Sequence, residues 1–208
     1  MSLAIAGDRA VKTGDGFWTL RSKTIQAQLE QVGPNYIMLL GDSHVERAYL
    51  SQICGAPVLN AGISGATVRD VLELTKNISI THKPAAIILS VGTNDIWAAR
   101  HPKTHRAQTA FTMSLAALRQ RLSTWTDHLI VVDIPPVAKA METAFPRDAA
   151  QRYAGMLRDR CALTGCKFLE LYAETSSDTV EAGDGVHLID YSGAFHAKER
   201  EICQFVHS

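Results

Sequence analysis

The sequence predicts an α/β protein, a three-layer α/β/α sandwich around a central parallel sheet of about five strands. Short apolar runs alternate with helical periods along the whole chain, as expected for strands joined by right-handed helical crossovers. The apolar runs are continuous instead of alternating with polar residues, which is typical of strands covered on both faces. No internal repeat, low-complexity segment or linker interrupts this order.

Five apolar runs are the predicted strands. The three longest are rich in isoleucine, leucine and valine, and two shorter runs complete the set: 36–40, 86–90, 129–132, 58–59 and 168–171. Their lengths suit strands better than helices, since a helix of a globular protein usually needs ten or more residues. The sequence therefore places a strand between each pair of predicted helices.

Apolar residues spaced three and four apart predict the helices. The clearest stripe repeats at intervals of 4, 3, 4 and 3, and it consists of Phe111, Leu115, Leu118, Leu122 and Trp125. One helical face carries all five, which indicates core packing. Shorter patterns predict helices around 25–32, 68–72 and 153–161, with Gly165 as a C-terminal cap of the third. A last helix is predicted to begin near Ser192, a residue type suited to an N-cap.

Composition excludes several classes of protein. The chain has 208 residues, and 21 Lys and Arg balance 21 Asp and Glu. No nucleic-acid partner is expected, because such binding normally needs a basic excess. A hydrophobic content of 46% excludes global disorder. Residues 1–16 are predicted to be a loose N-terminal lead-in, and residues 17–208 a single domain.

No apolar run approaches the length that a membrane-spanning helix needs, so no membrane span is expected. The first residues lack the basic region and apolar core of a signal peptide, which favours the cytoplasm. A periplasmic or secreted protein whose leader has been removed is the alternative.

The four cysteines lack paired spacing and are interpreted as small buried hydrophobic residues. A short-loop disulfide between Cys161 and Cys166 is the alternative for that pair.

Residues suited to catalysis follow the predicted strands, where ligands bind in an open parallel sheet. Ser43 stands at a strand-to-helix turn and is the candidate nucleophile, with His187 as the base that takes its proton. Asp184 is expected to orient the imidazole. The candidate oxyanion hole consists of the backbone N–H groups of Ser43 and Gly62 and the side-chain amide of Asn94.

These residues resemble the SGNH hydrolases, also called the GDSL esterase/lipase family. Four family blocks appear in order along the chain: Gly41-Asp42-Ser43, Gly62, Gly92-Thr93-Asn94-Asp95 and Asp184-x-x-His187. The resemblance implies a flavodoxin-like fold and makes residues 17–208 an SGNH-hydrolase-like catalytic domain. It further implies hydrolysis of esters or thioesters through an acyl-serine, with no metal or organic cofactor.

Some candidate residues have simpler interpretations. His44 replaces the aliphatic residue usual after the serine in the family, and it either lines the substrate pocket or, the favoured interpretation, packs at the helix start. Trp97 is a candidate wall of the acyl pocket or a packing residue. Ser64 is a second candidate nucleophile, but its position also suits an N-cap. His101 and His105 have the spacing of a metal pair, yet no neighbouring acidic or cysteine ligand completes the set, so no metal site is predicted.

The predicted function is a serine esterase acting on small-molecule carboxylic esters, with short-chain acyl or acetyl esters favoured. An acyltransferase or thioesterase using the same Ser-His-Asp site is the alternative, and a non-catalytic flavodoxin-like binding module is the second alternative. The chain has no G-x-S-x-G motif, which counts against an α/β-hydrolase. It has no dinucleotide or P-loop motif either. An oligomer is compatible with the sequence.

Overall fold

In the computed structural model, which describes residues 15–175, 180 and 184–208, six strands form the central sheet. They are β1 (Ile37–Gly41), β2 (Gln52–Ile53), β3 (Ala56–Gly62), β4 (Ala86–Ser90), β5 (Leu129–Val132) and β6 (Lys167–Leu169). Their order across the sheet is β2-β3-β1-β4-β5-β6. Strand β2 pairs antiparallel with β3, and the other neighbours are parallel. The predicted parallel sheet is therefore confirmed, with one short antiparallel edge strand added.

The helices agree with the predicted alternation. They are α1 (Asp15–Gln31), α2 (Ser43–Glu46), α3 (Val68–Asn77), α4 (His105–Leu122), α5 (Arg147–Thr164) and α6 (Tyr191–Val206). Short 3₁₀ helices lie at Ala98–Arg100 and Lys139–Met141. Residues 1–14 of the predicted lead-in lie outside the described residues, and Asp15 and Gly16 begin α1. No helix in the described part of the chain is long and apolar enough to cross a membrane.

Two hydrophobic cores cover the two faces of the sheet. Successive side chains of a strand point to opposite faces. In β1, Met38 and Leu40 join the core under α1, α3, α4 and α5, while Ile37 and Leu39 join the core under α6. Strands β4 and β5 divide their side chains in the same way. The three-layer prediction is confirmed, and the double coverage explains why the strand sequences are continuously apolar.

Helix ends depart from the sequence prediction at two caps. Thr67 caps α3 in a capping box with Asp70, so Ser64 is not its N-cap. Asp190, not Ser192, caps α6 by accepting the backbone N–H of Gly193. A cap depends on backbone conformation at one position, which a run of polar residues does not specify. Gly165 ends α5 in the left-handed conformation, as predicted.

All four cysteines are paired, so their interpretation as unpaired buried hydrophobic residues is wrong. Cys161 joins Cys166, which was the stated alternative, and Cys54 joins Cys203 across 149 residues. The second disulfide connects the turn between β2 and β3 to α6. Sequence spacing carries no signal for a pair so far apart, because only folding brings the two Cα atoms to 5.4 Å.

Candidate active site

Ser43 begins α2 directly beyond the end of β1. A Cβ on Gly41 would lie 2.0 Å from the Ser90 carbonyl oxygen, so only glycine lets β1 end this close to β4. Asp42 then caps α2, since its Oδ1 accepts the backbone N–H of His44 at 3.0 Å. These two features turn the chain sharply and leave Ser43 at the carboxyl edge of the sheet.

Ser43, His187 and Asp184 form a continuous hydrogen-bonded chain. The distance from Ser43 Oγ to His187 Nε2 is 2.7 Å, and that from His187 Nδ1 to Asp184 Oδ2 is also 2.7 Å. Asp184 Oδ1 accepts the backbone N–H groups of Val186 and His187, and Arg47 Nη1 lies 3.2 Å from Oδ2. Partial burial acts to raise the pKa of Asp184, but the hydrogen bonds from His187 and Val186 outweigh it and hold that pKa well below its usual range.

His44 does not line a substrate pocket, which corrects one of the two interpretations of this residue. Its side chain is 1% exposed, and Nδ1 lies 2.8 Å from the Tyr191 hydroxyl. Burial, assisted by the charge of Arg47 and by that of His187 when it is protonated, lowers the pKa of His44 to about 3. The ring is therefore a neutral packing group at the start of α2.

Two carboxyl groups with raised pKa values, the buried Asp42 and the half-buried Asp95, belong to the loops after β1 and β4. Burial raises the pKa of Asp42 and of Asp95 to about 7 in each case. Asp95 Oδ2 accepts the backbone N–H of Val68 at 3.0 Å, which ties the loop after β4 to the first turn of α3. This contact brings the loops after β3 and β4 together beside Ser43.

Gly62 does not present the unobstructed N–H that the sequence predicted. The next residue, Ile63, donates its N–H to the Gly41 carbonyl of β1, so the N–H of Gly62 points to the other side of β3. There Asn60 Oδ1 accepts it at 3.0 Å. A Cβ on Gly62 would lie 2.2 Å from the backbone nitrogen of Glu46, so this glycine serves the packing of β3 against α2.

Gly65 is a donor that the sequence reasoning missed. Its N–H has no acceptor among the described residues, whereas three neighbouring N–H groups are engaged, those of Ile63, Ser64 and Ala66. Gly65 has φ +80° at the third position of a turn closed by the Ala66 N–H and the Ile63 carbonyl, a position that favours glycine. The Ser-Gly dipeptide is the sequence signal for this turn.

Asn94 lies beside Gly65. Its Nδ2 donates to the Ala66 carbonyl at 3.1 Å, which fixes the amide and leaves its second N–H for another acceptor. The backbone N–H of Ser43 also has no acceptor in the part of the chain that the structure describes. Because Gly41 of β1 pairs in register with Gly62 and Ser90, the three loops leave the sheet at the same level.

The remaining candidate residues lie outside this hydrogen-bonded set. Trp97 is 41% exposed and has the guanidinium of Arg100 6.0 Å from its ring centroid, and its role as a pocket wall stays a prediction. His101 ends a 3₁₀ helix and His105 begins α4, both exposed. Within residues 15–175, 180 and 184–208, no group of three or more His, Cys, Asp or Glu is arranged to hold a metal ion.

A serine, a histidine and an aspartate linked in this order at the edge of a sheet are the arrangement of serine hydrolases. The sequence matches the model of the GDSL-like lipase/acylhydrolase family over residues 25–199. The chain belongs to this family and is a hydrolase that acts on ester bonds. A comparison with curated proteins gives no significant match.

Solved structures share the fold at low sequence identity. A Streptococcus pneumonia protein named as a candidate platelet activating factor is 19% identical, with a TM-score of 0.67 over 90% of this chain and 95% of that chain. An acetylxylan esterase from Geobacillus stearothermophilus is 17% identical, with a TM-score of 0.62 over 85% and 96%. A lipase/acylhydrolase from Enterococcus faecalis is 16% identical, with a TM-score of 0.62 over 83% and 96%. At these identities the likeness concerns the fold.

Proposed function

We propose that the protein is a serine esterase that hydrolyses short-chain acyl or acetyl esters through an acyl-serine intermediate. The observation that carries this proposal is the chain of two 2.7 Å hydrogen bonds from Ser43 through His187 to Asp184. A serine hydroxyl is a poor nucleophile until a base removes its proton. His187 Nε2 lies within hydrogen-bond distance of Ser43 Oγ and can accept that proton. The family to which the chain belongs supports the same chemistry.

The proposed reaction uses His187 twice. Ser43 Oγ attacks the ester carbonyl carbon while its proton passes to His187 Nε2, and the imidazolium then gives that proton to the departing alcohol. Water attacks the acyl-serine, again losing a proton to His187, and the carboxylic acid leaves as Ser43 recovers its proton. Asp184 stays ionised because its pKa is held low, so it stabilises the imidazolium in both steps.

The oxyanion formed in each step needs donors. We assign the backbone N–H groups of Ser43 and Gly65 and the side-chain amide of Asn94 to this role, in place of Gly62. This assignment is supported by the absence of another acceptor for the two N–H groups among the described residues. The contact between Asn94 and Ala66 also holds the amide next to Gly65.

Replacing Asn94 with alanine is expected to lower kcat for p-nitrophenyl acetate by roughly 10²–10³, because one oxyanion donor is lost. Steady-state kinetics on the purified variant measure this change. Asn77→Ala is the matched control, since Asn77 is an exposed residue of α3 whose amide donates to the Glu73 carbonyl and to no other described residue. A kcat for Asn94→Ala equal to that of the control removes Asn94 from the oxyanion hole.

Two of the connections beside Ser43 are short, which supports a preference for short acyl groups. A single residue, Asp42, separates β1 from α2, and residues 63–67 connect β3 to α3, so these loops supply little surface for a long acyl chain. One protein that shares the fold is named an acetylxylan esterase, and acetyl is a short acyl group. These observations favour acetyl and other short acyl esters.

A chain-length series tests this preference. We expect kcat/KM to be highest for p-nitrophenyl acetate or butyrate and to fall for octanoate and laurate. Acetylated sugars and acyl-CoA thioesters, each with and without an added sugar or alcohol acceptor, complete the series. A maximum at laurate contradicts the short-chain preference, acceptor-dependent turnover identifies an acyltransferase, and a preference for thioesters identifies a thioesterase.

A further inference from the structure

We infer that His44 and Tyr191 form a buried pair that positions His187 against Ser43. This inference deepens the proposed function and rests on it. Neither residue touches the reacting atoms, so both are positioning residues. The family resemblance supplies no such role, because His44 is a position at which this chain departs from the family pattern.

The pair connects the two parts of the chain that carry the nucleophile and the base. His44 follows Ser43 on α2, and Tyr191 is the first residue of α6, directly after the loop of His187. The His44 Nδ1 and the Tyr191 hydroxyl lie 2.8 Å apart although 147 residues separate them. Their side chains are 1% and 4% exposed, so water does not compete for this hydrogen bond.

The same pair contacts His187 and the residue that follows it. The Tyr191 hydroxyl oxygen accepts the backbone N–H of Leu188, the residue after His187, at 3.3 Å. The ring centroid of His44 lies 5.0 Å from that of His187. Asp184, which binds the other side of the imidazole, is half exposed. The buried pair therefore gives the His187 loop a fixed support that the exposed carboxylate alone does not.

Counting donors assigns the direction of the hydrogen bond. The Tyr191 oxygen accepts the N–H of Leu188, and among the described residues the Tyr191 O–H has no acceptor except His44 Nδ1, so it donates there and the ring proton lies on Nε2. The opposite direction also leaves the Tyr191 O–H without a partner among the described residues, whereas His44 Nε2 has none in either direction. An aliphatic residue at position 44 has no acceptor for Tyr191, so the two residues depend on each other.

His44 also has to be neutral for this arrangement. A positive charge 5.0 Å from His187 would oppose the imidazolium that forms when Ser43 loses its proton. Burial lowers the pKa of His44 to about 3, which keeps its Nδ1 free to accept at the pH of hydrolysis. The charged groups that act on this pKa are His187 and Arg47, which lower it, and Asp184, which raises it.

Tyr191→Phe removes only the hydroxyl and is the first test. We expect kcat for p-nitrophenyl acetate to fall about tenfold to a hundredfold, with KM within about twofold, because misplacement of His187 affects the transition state more than substrate binding. Tyr36→Phe is the matched control, since Tyr36 is equally buried, in the core on the opposite face of the sheet, and its hydroxyl donates to the His82 carbonyl at 3.0 Å. The control is expected to lose stability but not kcat.

His44→Leu and the double variant His44→Leu/Tyr191→Phe test the dependence of the two residues on each other. His44→Leu leaves the Tyr191 hydroxyl without its acceptor, and removing that hydroxyl as well is expected to recover part of the lost kcat. Three results overturn the inference. The first is a pair of kcat losses that multiply in the double variant, and the second is an unchanged kcat in Tyr191→Phe. The third is an equal kcat loss in Tyr36→Phe at the same thermal stability.

The rate at which a fluorophosphonate modifies Ser43 separates this inference from the proposed function. That rate is expected to fall with kcat in Tyr191→Phe, because modification needs the same base. A wild-type rate in Tyr191→Phe overturns the positioning role while leaving Ser43 as the nucleophile. A protein that hydrolyses esters but is not modified at Ser43 overturns the proposed function itself.

Discussion

Ser43→Ala is expected to reduce kcat for p-nitrophenyl acetate by roughly 10⁴–10⁶. Alanine removes the nucleophile and the hydrogen bond to His187 Nε2, while the proposed oxyanion donors stay in place. The small remaining activity would come from those donors and from substrate binding. Steady-state kinetics on variants of equal thermal stability measure the loss.

Ser64→Ala is the matched control, because Ser64 is the second candidate nucleophile and lies on the neighbouring loop. Its backbone N–H binds Glu46 Oε2, a contact that alanine keeps, so hydrolysis is expected to remain at the wild-type level. Full activity in Ser43→Ala together with loss in Ser64→Ala would reverse the two assignments. Mass analysis of the fluorophosphonate-labelled peptide identifies the modified serine independently.

Removing the disulfide between Cys54 and Cys203 by a double alanine substitution is expected to lower the free energy of unfolding by about 5 kcal/mol. The reason is the length of the loop that the disulfide closes in the unfolded chain, since the two residues are 149 positions apart. The midpoint of urea unfolding, with the slope compared between variants, measures this change.

The disulfide between Cys161 and Cys166 provides the internal control. It closes a loop of only five positions, so its removal is expected to cost about 2 kcal/mol in the same loop-entropy account. Equal losses for the two pairs would contradict that account. Four reactive thiols in the unfolded, unreduced protein would contradict both disulfides.

The two disulfides also bear on the compartment. Structural disulfides persist in oxidising environments and are rare in the cytosol. The cytoplasm and its alternative, the periplasm or the cell exterior, both stay predictions from the sequence, and the alternative is the one in which such disulfides persist.

Local patterns predicted the elements that have a strong local signal. The runs at 86–90 and 129–132 coincide with β4 and β5, because strands covered on both faces must be apolar at every position. The two residues of β2 carry no such pattern, so the antiparallel edge strand was not predicted. Trp125 belongs to the predicted helical stripe and is buried, yet α4 ends at Leu122.

The sequence by itself determined the fold class and the residues Ser43, Asp184 and His187 as candidates, because apolar periodicity and motif order are properties of the chain. Only the tertiary structure decided which backbone N–H groups are free, because a side chain accepts the N–H of Gly62, whereas no described residue accepts that of Gly65. The tertiary structure also decided the contacts between distant residues, such as the disulfide between Cys54 and Cys203 and the hydrogen bond between His44 and Tyr191. The physical reason is the same in each case. A hydrogen bond or a disulfide depends on distances of a few ångströms, and for residues more than a hundred positions apart only the folded packing sets those distances.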